Sequence, residues 1–299
     1  MLTPSGSIDS VAVVGAGLMG RRLAGLVAAA GVPVRLVEID ADVLAAGLAA
    51  ARDMAPNGAI EGFGSISEGV AGVDLVIEAI VENLRIKQDV FAEMALANDR
   101  AILASNSSVL PISLIAEGVE DGTRCVGTHF WNPPDLIPIV EVVRGARTSD
   151  ATMDLTYDFM EGVGKLPVRV EKDVAGFVGN RLQHALWREA IDLIATGVCD
   201  AETVDLVVKN TIGLRLGDMG PIENADYVGL DLTLAIHDAV LPSINSDPHA
   251  SDHLRDLVAA GDLGAKTGRG FLVWPEGAKE AAAARLSAHV QSQLSAKSN

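Results

Sequence analysis

A histidine and a glutamate twelve positions apart are the residues of this chain best placed to move a proton. His129 closes an apolar run, CVGTHF, and Glu141 lies inside a second one, IVEVV, with Asn132, Pro133 and Pro134 between them. Two consecutive prolines cannot sit in one continuous strand, so the chain must fold back after the histidine. A carboxylate carried in a run that reads as buried needs a partner, because an isolated buried charge is costly. Folding back brings it toward the imidazole, and a His–Glu pair beside a turn can serve as an acid–base device. The same residues admit a plainer reading, with a satisfied structural histidine and Glu141 on a solvated face.

The second stretch with a chemical purpose is GAGLMG, comprising Gly15, Ala16, Gly17, Leu18, Met19 and Gly20. It follows a β-branched run, Ile8–Val14, and precedes RRLAGLVAAAG, where Leu23, Leu26, Val27 and Ala30 recur at helical spacing. A further strand, VPVRLVE, ends at Glu38. Strand, glycine loop, helix, strand and terminal acid together form the dinucleotide-binding fingerprint. Gly15 permits the tight turn, Gly17 lets backbone approach a pyrophosphate, and Gly20 packs helix on strand. The helix start offers N–H groups to the phosphates, and Glu38 can accept from both adenosine ribose hydroxyls. An acid at this position favours NAD over NADP, although Arg21 and Arg22 just after the loop leave a cationic partner for a phosphate.

These residues need elements to hold them, and the chain supplies strands and helices in alternation. A helix from Asp42 to about Met54 precedes a loosely patterned stretch to Gly72; then come strand Asp74–Ile80, a helix in VENLRIKQDVFAEMA, strand AILASNSS and strand CVGTHF. That rhythm predicts a doubly wound, mostly parallel α/β sheet. Ligands of such sheets sit beyond the carboxyl ends of the strands, where Gly15–Gly20, Glu82, Ser107, Ser108 and His129 all fall. That placement decides in favour of the chemical reading of His129. Glu82 and Lys87 flank the start of their helix, where charges are usually solvated. After LPVRVEK the rhythm changes to helix alone until GFLVW (Gly270–Trp274), which reads as a strand. Two domains are expected, 1–173 and an all-α 174–299, with Asn180 in the first turn of the opening helix.

Composition narrows the function classes. The net charge of −17, without a basic cluster, argues against nucleic acid and anionic membrane surfaces as partners. Two cysteines, Cys125 and Cys199, make no disulfide framework, and the opening MLTPSGSIDS lacks the charged and apolar regions of a leader, so a cytoplasmic enzyme is expected. No pair of histidines has metal-ligand spacing, so no metal is expected. His184 is expected to be structural, and His237, His249, His253 and His289 to be surface groups.

Several ordered motifs together identify a relationship. GAGLMG, IEAIVENLRIK, ASNSS, THFWNPP with VEVV, DVAGFVGNRL, MGPIENADYVGLD and GAKTGRGF run nearly the whole length of the chain. In these the chain resembles the L-3-hydroxyacyl-CoA dehydrogenases and their relatives. The resemblance implies an NAD-binding Rossmann domain and a helical domain that forms a homodimer interface. It implies that His129 is the catalytic base, that Glu141 orients it, and that Ser108 and Asn180 bind the reacting oxygen. Glu38, Glu82, Lys87, Ser108, Asn132 and Lys266 are then the cofactor contacts beyond the glycine loop. Trp131, Asp135, Arg215, Asp218 and Met219 are candidates for the substrate pocket. An idle, crystallin-type NAD-binding protein is the alternative from another class, and the intact catalytic set argues against it.

One departure bears on substrate. The acyl-CoA members carry a helical arm, with serine and lysine contacts to CoA, between the acid of the second strand and the strand reading VEAI. Here Glu38 and Glu78 are separated by 78 − 38 = 40 positions, and no lysine lies between them. A CoA pyrophosphate and 3′-phosphate want cationic or backbone donors. A hydroxy acid free of CoA, or an alcohol or aldehyde of similar size, is therefore expected; the NPP turn is similar to that of carnitine and gulonate dehydrogenases, and the turn and shortened arm together to the pyridine-carboxylate dehydrogenase. A true 3-hydroxybutyryl-CoA dehydrogenase is the alternative.

Overall fold

The computed structural model describes residues 6–297, so the first five residues, part of the opening read above for a leader, lie outside it. The chain divides into two compact units, residues 1–181 and 182–299. The first unit alternates β1 Val11–Val14, α1 Leu18–Ala29, β2 Val34–Val37, α2 Ala41–Met54, β3 Ile60–Phe63, the short α3 Ile66–Gly69 and β4 Leu75–Glu78. It continues with α4 Leu84–Ala97, β5 Ile102–Ser105, the short α5 Ile112–Ile115, β6 Cys125–Phe130, β7 Ile139–Val143, α6 Asp150–Gly162 and β8 Leu166–Val170. The eight strands form one sheet in the order β3-β2-β1-β4-β5-β6-β7-β8. All neighbours are parallel except β6 and β7.

The central strands are apolar on both faces because helices cover both. Val11 and Val13 point into one cluster with Leu23, Ala24 and Val27 of α1 and Met153 and Met160 of α6. Ala12 and Val14 point into the other, with Phe91 and Met94 of α4 and Ile112 and Ile115 of α5. Helix starts follow their caps: the Asp40 carboxylate accepts from Asp42 N and Val43 N, and Asn83 Oδ1 accepts from Ile86 N. The stretch after Met54, which periodicity left unassigned, contains β3 paired to β2. Its sequence, IEGF, is too short for alternation to stand out.

The second unit contains most of α7 Gly179–Ala195, then α8 Ala201–Asn210, α9 Ile212–Leu216, α10 Pro221–Val228, α11 Leu230–Val240, α12 Asp252–Ala259 and α13 Ala278–Lys297. Helices α8 to α12 bury no residue within one chain. The strand expected at GFLVW does not form: Arg269 makes only isolated bridges to Gly264 and Val273. Gly264 and Gly268 adopt positive φ around it, turning the chain before a ladder can extend. His184, expected to be structural, is exposed, with its ring edge-on to Trp187 at 5.0 Å.

Candidate functional site

The antiparallel turn between β6 and β7 puts His129 and Glu141 directly opposite each other. Cross-strand partners lie within side-chain reach, so the twelve-residue spacing becomes a contact. His129 Nδ1 donates to Glu141 Oε2 at 2.6 Å, with both residues 3 % exposed. The other carboxylate oxygen accepts from Val178 N at 2.9 Å and Gly179 N at 3.1 Å, at the start of α7. Burial pushes the Glu141 carboxyl up, but the hydrogen bonds from His129, Gly179 and Val178 outweigh it and hold the pKa below the ordinary carboxylate value. An ionised carboxylate only accepts, so Nδ1 carries the proton and Nε2 is left as the basic nitrogen. Trp131 and Phe177 flank the imidazole, with ring centroids 5.2 Å and 5.7 Å away. Gly179 has no side chain where the Trp131 indole packs, since a Cβ there would collide with the ring.

A second charged group surrounds the ends of β4 and β5. Lys87, expected as a solvated charge or cofactor contact, is 1 % exposed. Its ammonium meets Glu78 Oε1 at 2.6 Å and Glu82 Oε2 at 3.3 Å. The Glu82 carboxylate also accepts from the Ser107 hydroxyl and from Ser108 N and Val109 N. Burial raises the Glu82 carboxyl, and the Ser107 bond and the Lys87 charge together bring it below its ordinary value. Glu78 is fully buried and further satisfied by Ser105 Oγ and Ile80 N. Residue reasoning passed over Glu78, yet the signal was the one that singled out Glu141: a carboxylate at the end of an apolar run. Asn180, 8 % exposed, donates through Nδ2 to the Ser108 carbonyl at 2.8 Å. Asn106 Oδ1 accepts from Phe130 N, tying the β5 loop to the strand of His129.

The glycine loop fits a dinucleotide. A Cβ at Gly17 would meet nothing within 4 Å, so the approach to the helix start is open. The N-cap of α1, Gly17, makes no side-chain cap, which leaves the first N–H groups for an anion. Gly15 has φ +101° and its Cβ position lies 2.8 Å from the Ala79 carbonyl, so no side chain fits there. At Gly20 the carbonyl of Gly15 fills the corresponding space. Glu38, at the end of β2, accepts from Ala16 N at 3.1 Å and Asp40 N at 3.3 Å. The Arg22 guanidinium, read in sequence as a possible partner for a phosphate, pairs with Asp135 at 2.6 Å. Asn132 is exposed in the β6–β7 connection, and Lys266 lies on an exposed turn of the helical unit.

Comparison with known proteins agrees with this architecture. The sequence model of the 3-hydroxyacyl-CoA dehydrogenase NAD binding domain matches residues 10–174, and that of the 3-hydroxyacyl-CoA dehydrogenase C-terminal domain matches residues 176–274. The chain is 35 % identical to 5-formyl-3-hydroxy-2-methylpyridine 4-carboxylate 5-dehydrogenase of Mesorhizobium japonicum, over 93 % of this chain and 95 % of that one. It is 36 % identical to the human mitochondrial hydroxyacyl-coenzyme A dehydrogenase, over 88 % and 90 % of the two chains. A crystal structure of the pyridine-carboxylate 5-dehydrogenase, described as an NAD+-dependent dismutase, superimposes with a TM-score of 0.88, 29 % identity and coverage of 95 % and 96 %. The (S)-3-hydroxybutyryl-CoA dehydrogenase of Ralstonia eutropha gives 0.71, 32 %, 90 % and 100 %. The chain therefore belongs to the 3-hydroxyacyl-CoA dehydrogenase family and is an NAD-dependent oxidoreductase.

Proposed function

We propose that this enzyme oxidises a hydroxyl-bearing carbon of a small carboxylate substrate not carried on coenzyme A. NAD, when bound, supplies the hydride acceptor. His129 Nε2 takes the hydroxyl proton as the carbonyl forms, and Glu141 fixes the tautomer and stabilises the imidazolium. The Ser108 hydroxyl and the Asn180 amide donate to the oxygen as charge builds on it, from positions set before reaction. Gly15–Gly20 and Glu38 bind the adenosine and pyrophosphate side, while Glu82, Lys87, Ser108, Asn132 and Lys266 serve the nicotinamide half.

The observation that carries the substrate reading is the path from β2 to β4. After Glu38 a single helix, α2, runs directly into β3, five residues after its end, without any helical arm. No lysine occurs between Glu38 and Glu78 to meet CoA phosphates. The likeness to the pyridine-carboxylate dehydrogenase supports the same reading. A second reading, 3-hydroxybutyryl-CoA oxidation, draws on the likeness to the Ralstonia enzyme. NADH absorbance with 3-hydroxyacyl-CoA thioesters, free 3-hydroxy acids, carnitine, gulonate and pyridine aldehydes separates them. Activity confined to the free acids, alcohols or aldehydes is expected; activity confined to thioesters would refute the CoA-free assignment.

A homodimer through the helical unit completes the proposal. Within one chain Leu214, Ile222 and Tyr227 are 71 %, 77 % and 77 % exposed. Apolar surface on this scale is characteristic of an obligate interface.

A further inference from the structure

Eight residues, 131–138, join the strand of His129 to that of Glu141, and they are held by charges that the reaction itself does not use. Leu136 N and Ile137 N both bond to the Pro133 carbonyl, at 3.1 Å and 3.0 Å, so Pro133–Ile137 makes one helical turn. That turn cannot continue. Residue 138 is proline and has no N–H for the Pro134 carbonyl. The Lys165 ammonium, arriving from the connection between α6 and β8, takes its place. It donates to the Pro134 carbonyl and, at 3.1 Å, to the Ile137 carbonyl. Lys165 is 9 % exposed and makes no ion pair with a carboxylate among the described residues. Burial lowers its pKa, and only the charge of Asp135 offsets this. A buried ammonium spent on two carbonyls is an expensive way to secure an ordinary turn. From the outside, Asp135 of the same turn accepts from Arg22 Nη1 at 2.6 Å, which ties it to α1, the helix that follows the glycine loop.

We infer that Lys165 and the Arg22–Asp135 pair are positioning residues, which fix the turn so that Trp131 and Asn132, immediately before it, are held at the nicotinamide side of the His129 site. The inference rests on the NAD-dependent site proposed above. Trp131 is the residue through which it acts on the histidine, with its ring 5.2 Å from the imidazole. Lys165 touches neither substrate nor cofactor in this scheme, and Asp135, a substrate-pocket candidate in the sequence, is engaged by Arg22 instead.

The test compares two ligands that share the adenosine–pyrophosphate half, NADH and ADP-ribose, by isothermal titration on the purified full chain. The wild-type enzyme is expected to bind NADH more tightly than ADP-ribose. A wild type that distinguishes them, alongside variants that keep the same ratio, would overturn the positioning role while leaving the NAD site intact. A wild type that binds neither would overturn the site itself. In Lys165→Met, ADP-ribose affinity should stay within about twofold, while NADH affinity and kcat each fall by about tenfold, the equivalent of 1.4 kcal/mol. If Lys165→Met does not fold, the exposed pair carries the test. Asp135→Arg should lower kcat and NADH affinity without changing ADP-ribose binding, and Arg22→Asp should lower kcat. The double exchange, Arg22→Asp with Asp135→Arg, should restore at least half of the loss in kcat. Single variants with unchanged kcat, or a double exchange no better than the worse single variant, would overturn the inference.

Discussion

At the scale of single residues, Glu141 and Glu82 are each matched with donors that favour the ionised carboxylate. Glu141 receives two backbone N–H groups on one oxygen and the imidazole on the other. That arrangement assigns the proton to Nδ1 and leaves Nε2 free to accept. His129→Ala should reduce kcat by about 10²–10⁴-fold, the usual range for a general base, with NADH affinity in a fluorescence titration changed by no more than a few-fold. Equal losses of affinity and turnover would count against a base. The carboxylates also set an acid limit. Glu141 and Glu82 both have folded pKa values below the ordinary 4.5. Their stabilisation is therefore fully present above about pH 4.5 and is lost as pH falls through the lower folded values. Thermal melting between pH 3 and 7 should show Glu141→Gln losing stability against wild type at the upper end, with the difference shrinking toward the lower end.

At the scale of elements, two local arrangements decide whether the site exists. The first is the β1–α1 turn, where Gly15 sits at positive φ against the Ala79 carbonyl. Gly15→Ala is expected to cost about 1–3 kcal/mol in backbone strain and displacement, seen as a lower melting temperature together with weakened NADH binding. The second is the ladder end where β4 and β5 carry Glu78, Ser105 and the Lys87 ammonium of α4. Removing Glu78 takes away the nearer, fully buried partner and leaves the Lys87 ammonium with Glu82 alone, at 3.3 Å. Glu78→Ala should therefore destabilise the first unit by about 3–5 kcal/mol. Chemical denaturation followed by the near-ultraviolet signal reads this directly, and a loss under about 1 kcal/mol would mean that Glu82 alone suffices for Lys87. Lys87 was legible as a candidate cofactor contact only through family resemblance, because a lysine at a helix start is most often solvated. Its burial follows from Glu78, whose position at the end of an apolar strand was in plain view.

At the scale of the whole molecule, the two units differ in how they are stabilised. The first has two apolar clusters, one on each face of its sheet. In the second, helices α8 to α12 bury nothing within one chain, and large side chains such as Leu206, Leu214, Ile222 and Tyr227 stay exposed. In the proposed homodimer such a unit gains its core from association, which ties its stability to protomer concentration. The melting temperature of the wild type should rise with protein concentration. Leu214→Asp or Ile222→Asp should shift the sedimentation coefficient toward the monomer or cause aggregation. A concentration-independent melt together with a monomeric Ile222→Asp variant of wild-type stability would count against the dimer.

The sequence by itself determined the alternation of strands and helices in the first unit apart from β3, α6 and the short α3 and α5, the dinucleotide loop with Glu38, and the candidacy of His129 with Glu141. Each is a local matter: alternation of elements, glycine where backbone must turn or approach closely, and a carboxylate where an apolar run forbids an unpaired one. Only the tertiary structure decided the rest. The antiparallel register made His129 and Glu141 opposite neighbours, and α7 delivered two N–H groups to the same carboxylate. The Glu78–Lys87–Glu82 cluster and the Lys165 and Arg22 contacts to the β6–β7 turn join residues from separate elements. β3 was missed because four residues are too few to show a period, and the strand at GFLVW failed because glycines at positive φ turned the chain first. Partners distant in sequence leave no periodic trace, since side-chain pairing across a sheet depends on register and crossover, and these are fixed only when the chain has folded.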